Sequence, residues 1–242
     1  RALAATAITR CPMKASTFFG SSCLCSSPCP SWPRPPQPAL QTLPSAARAT
    51  CSRPRRRRCW WGDGGEGKLG HGDLQRQPLP KKIEAFAGQR VVAVSAGGNH
   101  CLALTADGSV WSWGGGAFGK LGHGDEQRQL LPKKVEALAG RRVIAVSAGD
   151  THSVALSADG ALWSWGNGTF GKLGHGDEQH QLLPKKIEAL AGRRVVTVSA
   201  GDLHSLAITA DGAVWSWGWG REGRLGHGDE QNQLLPKKVE AL

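Results

Sequence analysis

From Cys59 onward the chain copies itself. The string LGHGD returns with its leucine at Leu69, Leu121, Leu173 and Leu225, each step being 52 residues. Residues 111–162 and 163–214 differ at eleven of 52 positions, mostly conservatively, as with Val135 against Ile187. A period of this size denotes a supersecondary unit that cannot bury its own apolar face and gains a core only by stacking on neighbours. The fold must therefore be modular.

Within a unit the local signals are those of strands. Arg142–Gly149 (RVIAVSAG) and His152–Ala158 (HSVALSA) are short runs of small and β-branched residues, with Gly149 and Asp150 as the turn between them. Asp159-Gly160 then joins the second run to ALWSWG, because this dipeptide readily takes the positive φ angles of a hairpin. A fourth strand is expected near Lys185–Ala189, after Pro184, where a missing N–H and a lysine pair suit a sheet edge. EALAG is cut off by its glycine before a helix can form. Four short strands per unit of this length predict an all-β fold of propeller blades, each a four-stranded antiparallel sheet.

Several motifs invite a catalytic or cofactor assignment, and the repeat argues against each. GxGxxG follows a strand in every unit, as at Gly114, Gly116 and Gly119, but no helix follows to receive a pyrophosphate. GxxxxGK from Gly114 to Lys120 is followed by Leu121, where a phosphate loop needs Ser or Thr for magnesium. These glycines are expected to serve a tight loop, and no cofactor is expected. Asp150, His152 and Ser153 contain the ingredients of a nucleophilic triad, yet Asp202, His204 and Ser205 repeat them and Gly98, His100 and Cys101 break the set. Catalysis needs one converging geometry, so the histidine is assigned an architectural role, donating to a neighbouring loop carbonyl. The same reasoning removes His71, His123, His175 and His227 as metal ligands, and Cys23, Cys25 and Cys29 lack the spacing of a structural zinc site. Trp111 with Trp113, Trp163 with Trp165, and Trp215 with Trp217 share a strand face two by two and are expected to pack between blades.

The pattern V-x-V-x-AG-x-x-H-S-x-A-L-x-x-DG-x-x-W-x-WG-x-G-x-x-G-x-LGHGD resembles the regulator of chromosome condensation (RCC1) repeat, three times in full and once in part over residues 59–242. The resemblance implies RCC1-type β-propeller blades, here a partial ring of about three and a half, and hence a fragment of a longer protein. It also implies a non-catalytic protein-interaction scaffold with a protein partner and no small-molecule substrate; no stretch approaches 18 apolar residues, so no membrane partner is expected. Candidate partner-binding residues lie in the long loops: Phe118, Lys120, His123, Asp125, Glu126 and Arg128, and in the next unit Phe170, Lys172, His175, Asp177, Glu178 and His180. Arg128, His180 and Asn232 vary within an otherwise repeated loop and are where selectivity could be written. Two alternatives follow from the same resemblance. One is nucleotide exchange on a Ran-like small GTPase. The other is a substrate or targeting module of a HECT-type ubiquitin ligase, suggested by LPKKIEAL (Leu183 to Leu190). Plant ultraviolet-B photoreceptors share tryptophan-rich propellers of this type and carry Gly-Trp-Arg-His. The corresponding strings here are GGNH, GDTH and GDLH, with Asn99, Thr151 and Leu203 in the tryptophan slot.

Residues 1–58 are of another kind. They hold ten Lys or Arg and no acid, whereas residues 59–242 hold twenty basic and nineteen acidic residues, so the net +11 belongs almost wholly to this leader. Nucleic-acid contact needs uncompensated basic charge, which leaves Arg53–Arg58 as the one stretch suited to it. The leader is expected to be disordered and admits three readings: a solvated or non-native tail, a nuclear-import or phosphate-binding patch, or an organellar transit segment. Six of seven cysteines lie at or before Cys59, and Cys101 stands where sister units carry Ser153 and Ser205. That distribution argues against a disulfide framework and for an intracellular, nuclear or cytoplasmic, setting.

Overall fold

A computed structural model describes residues 59–240. The expectations placed on residues 1–58 lie outside the described residues. Fourteen strands form four antiparallel sheets among them. The first is a pair, β1 (Cys59–Gly62) with β2 (Gln77–Lys82). Three four-stranded sheets follow in strict sequence order: β3 (Val91–Ala96), β4 (His100–Thr105), β5 (Val110–Gly114) and β6 (Gln129–Lys134); then β7 (Val143–Ala148), β8 (His152–Ser157), β9 (Leu162–Gly166) and β10 (Gln181–Lys186); then β11 (Val195–Ala200), β12 (His204–Thr209), β13 (Val214–Gly218) and β14 (Gln233–Lys238). Each is a propeller blade, as the repeat implied.

The β8–β9 hairpin closes where Asp159-Gly160 stands. Gly160 has φ +84°, and the Asp159 carboxylate accepts from the Ser157 hydroxyl and the Ala161 N–H. Asp107 in the first full sheet is held the same way by Thr105 and Ser109, and these donors pull its pKa down to about 2. The outermost strand departs from expectation: it runs Gln181–Lys186 and contains Pro184, while Glu188–Leu190 form one turn of 3-10 helix. Pairing with β9 slips between Gln181 and Lys185, so the proline sits in the unpaired stretch and its missing N–H costs the ladder nothing.

Burial explains why the unit cannot stand alone. β4 and β8 are buried along their whole length, on both faces, although they read as ordinary half-polar strands. The three hydrophobic clusters each draw on two successive sheets. One combines Leu102, Leu104 and Val110 with Val143, Ala155, Trp163 and Trp165; the next combines Leu156 and Leu162 with Val195, Ala207, Trp215 and Trp217. The cores are layers between sheets. Along one side of this stack the first strands adjoin each other, β7 packing against β3 and β11.

Candidate functional site

Between the third and fourth strands of each sheet runs the long loop to which sequence assigned partner binding. Its start explains the glycines. Gly114 and Gly119 have φ +105° and +73°, which only glycine adopts cheaply, whereas Gly116 has an ordinary φ and is required because a Cβ there would collide with the Gln127 carbonyl. The residue between them is left-handed without being glycine: Glu66, Phe118, Phe170 and Glu222 all have φ between +60° and +64°. Such residues carry backbone strain of roughly 1 kcal/mol or more and are found where surrounding contacts over-determine them.

Those contacts reach the next loop along. Phe118 meets His180 edge-on at 5.0 Å, Phe170 stacks on Trp219 at 5.6 Å, and at the first position Glu66 forms an ion pair with Arg128 at 3.0 Å. The variable residues are therefore engaged internally as well as displayed. His180 Nδ1 accepts the Gly168 N–H at 3.2 Å and Asn232 Oδ1 accepts that of Gly220 at 3.1 Å.

Lys120 and Lys172 correct the sequence assignment. Their residues are only 4% and 1% exposed, so neither can be offered to a partner. The Lys172 ammonium donates to Thr151 Oγ1 at 2.9 Å, and burial pulls both lysines below the ordinary ammonium range, opposed by Asp150 and, for Lys172, Asp202. The lysine backbone is equally occupied. The carbonyl of Lys120 accepts the Trp165 indole N–H at 2.9 Å and the Ser153 hydroxyl at 2.8 Å, both from the following sheet. Lys172 repeats this with Trp217 and Ser205.

Serine in turn receives the histidine. His100 Nε2 lies 2.8 Å from Ser153 Oγ, and His152 Nε2 lies 2.9 Å from Ser205 Oγ. Since each serine hydroxyl donates to the lysine carbonyl, the ring must donate through Nε2–H, leaving Nδ1 unprotonated; that atom is buried and has no partner among the described residues in His100, His152 or His204. The expected direct bond from histidine to a loop carbonyl is thus a two-step relay through the next sheet's serine. Burial drives the pKa of His100 and His152 down to about 3. An imidazole locked neutral, with its serine already directed at a carbonyl and its neighbour Asp150 exposed elsewhere, cannot work as a general base. Neighbours in sequence, His152 and Ser153 belong to different relays.

His123 and His175 hold the other end of the loop. Each donates to a serine of its own sheet, Ser112 or Ser164, at 2.9 Å, and that serine donates to the carbonyl of Leu121 or Leu173. Asp125 and Asp177 accept the backbone N–H two residues on, from Gln127 and Gln179, and so build the loop's closing turn. Of the residues singled out from sequence, Glu126 and Glu178 are exposed and form no ion pair or hydrogen bond among the described residues, and Phe118 is 37% exposed. Leu131, Leu183 and Leu235 on the outer strands are also half-exposed, a repeated apolar position that sequence reasoning missed; its signal was a leucine before proline in a strand wrongly bounded.

Four-stranded blades stacked in register and locked by a relay from each to the next define a β-propeller repeat protein. The profile described as RCC1-like domain matches residues 55–242, and the chain belongs to that family. It is 42% identical over 182 residues to the ultraviolet-B receptor UVR8 of Arabidopsis thaliana, covering 75% of this chain and 41% of the receptor. It is 45% identical over 184 residues to the E3 ubiquitin-protein ligase HERC2 of Homo sapiens, covering 75% of this chain and 4% of the ligase. Among solved structures, human WBSCR16 superposes with a TM-score of 0.67 at 28% identity, over 75% of this chain and 47% of that one. Yeast RCC1 (Prp20), solved bound to Kap60, superposes with a TM-score of 0.65 at 29% identity, over 74% and 44%. The chain thus spans less than half the length of these proteins.

Proposed function

We propose that this chain contributes blades to a non-catalytic propeller whose exposed loop ends bind a protein partner. The observation that carries the proposal is the relay: the histidines and serines that resemble a reaction centre are committed to holding sheets together, and what remains outward is a repeated display of Glu126, Glu178 and Phe118. Loops on a rigid scaffold suit recognition. The test is partner capture by proximity labelling with the complete protein, comparing wild type with the Glu126→Lys, Glu178→Lys double variant. Loss of a subset of partners with an unchanged melting temperature is expected, and an identical partner set would sink the proposal.

Nucleotide exchange on a Ran-like GTPase is a second reading, supported by the likeness to yeast Prp20, a structure of which was reported together with its binding properties to Gsp1p and histones. Acceleration of labelled-nucleotide release by the complete protein would establish it, and no acceleration would remove it. The 45% identity to HERC2 supports a third, a targeting module within a ligase, whose catalytic residues would lie outside this stretch.

A further inference from the structure

The opposite end of the sheets carries a repeated surface that the loop-end reading does not use. There the β4–β5 turn meets the strand that opens the next sheet, Val143 N donating to the Gly108 carbonyl at 3.2 Å, while within the second full sheet Ala158 N, at the start of the β8–β9 turn, donates to the Arg142 carbonyl at 2.8 Å. Arg90, Arg142 and Arg194 are exposed at this end, and none forms an ion pair among the described residues. The stems of Arg142 and Arg194 pack against the preceding sheet's turn. A Cβ on Gly108 would lie 3.1 Å from the Arg142 Cα and 3.2 Å from its Cγ, and Gly160 stands likewise against Arg194. The turn aspartates Asp107, Asp159 and Asp211 accept from Thr105, Ser157 and Thr209 and form no ion pair with these arginines among the described residues. Two residues along from each arginine is a β-branched aliphatic side chain in water: Val92 is 44% exposed, Ile144 49% and Val196 48%. These are bulge positions, where the strand pairing slips by one residue and turns the side chain out of the ladder. Since β7 packs against both β3 and β11, the three Arg and aliphatic pairs stand at the same end of three adjoining strands, as the steps of a strip.

We propose that this strip binds an extended segment of a partner protein in which acidic and aliphatic residues alternate. An arginine fork is matched to a carboxylate, and a carboxylate and an aliphatic group in turn suit an arginine beside an exposed Ile or Val. A phosphate backbone fits less well. It has no aliphatic groups to set against Val92, Ile144 and Val196, and with nineteen acids against twenty bases in residues 59–242 counterion release offers little. The inference rests on the scaffold reading above and names a different end of the sheets and a chemical class of partner.

The test is fluorescence anisotropy of the full 242-residue chain with a labelled peptide of alternating glutamate and leucine, a lysine-for-glutamate counterpart and a labelled oligo-dT of similar length. Binding of the acidic peptide alone is expected, weakened at least about tenfold by Arg142→Glu with Arg194→Glu and about threefold by Ile144→Ser, and unchanged by Glu126→Lys. Should the charge reversals lower the melting temperature, Arg142→Gln with Arg194→Gln replaces them and must still weaken binding. Equal affinity of wild type and arginine variants, no binding, or tighter binding of oligo-dT overturns the inference. Partner capture that depends on Glu126 while the peptide fails to bind overturns the strip alone and leaves the scaffold reading in place.

Discussion

The junction between β1–β2 and the first full sheet differs from the two junctions that follow it, although the backbone geometry is shared. At the later junctions a serine hydroxyl bridges histidine to carbonyl. At the first, Cys101 takes the serine position and its thiol reaches the Lys68 carbonyl at 3.3 Å. Trp113 still donates to that carbonyl at 2.9 Å, as Trp165 and Trp217 do to theirs. Around the outer tryptophans the contrast widens. Arg141 lies 4.1 Å over Trp163 and Arg193 4.4 Å over Trp215, whereas Trp111 is packed edge-on by Phe86 and its indole N–H is buried without a partner among the described residues. In the loops, the first junction has an ion pair where the second has an aromatic contact. The indole bond and the sheet register therefore set the geometry of stacking, and the relay adds strength to a geometry already set.

Acid gives the largest separation between the two kinds of junction. His100 and His152 are neutral in the folded chain with pKa about 3 and return to about 6.5 when it unfolds, because protonation would place a charge on a buried Nδ1 that has no acceptor. The unfolded chain then binds more protons, so stability is full above pH 6.5 and falls as pH drops from 6.5 toward 3. At pH 5 the loss is on the order of 2 kcal/mol for each histidine. Urea denaturation across this range checks it, and a flat profile would show that the rings are not locked neutral. A smaller effect is expected for Ser153→Ala, which strands the His100 Nε2–H and removes one donor from the Lys120 carbonyl. Its cost is about 1–3 kcal/mol by chemical denaturation, and a value near zero would mean that the relay contributes nothing. The smallest effect runs the other way. Cys101→Ser converts the weak thiol donor into a hydroxyl at the first junction and is expected to stabilise by up to about 1 kcal/mol; a destabilised variant would show that the thiol is there for its packing.

How much of this was legible in sequence depends on distance along the chain. The 52-residue period, the first three strands of each sheet and the Asp-Gly hairpins are local signals and appear where expected, whereas the fourth strand lies further toward the N-terminus than its proline suggested. The facing of paired tryptophans follows from strand periodicity alone. What sequence could not give is the identity of partners one unit away. His152 and Ser153 are adjacent, so they suggest a pair, but their bonds run to Ser205 and His100, each 53 residues off. Lys172 stands in a glycine-rich loop and reads as exposed, yet Thr151 and the following sheet bury it. The left-handed backbone at Phe118 and Phe170 was equally hidden, since glycines on both sides offered a simpler account of the turn.

The 53-residue span of the relay has a consequence for how such arrays come about. Every full unit carries both halves of the joint, a serine or cysteine that answers the unit before and a histidine that in the first two units addresses the unit after. For this relay a genetic event that copies or deletes one whole period leaves each histidine facing a serine or cysteine, while a shift of a single residue within a period would mismatch them; the loop pairs Glu66 with Arg128 and Phe118 with His180 are particular to their joints. Couplings of this sort let whole units be duplicated without redesigning the relay, and near-identity of consecutive units is what recent copying would leave behind.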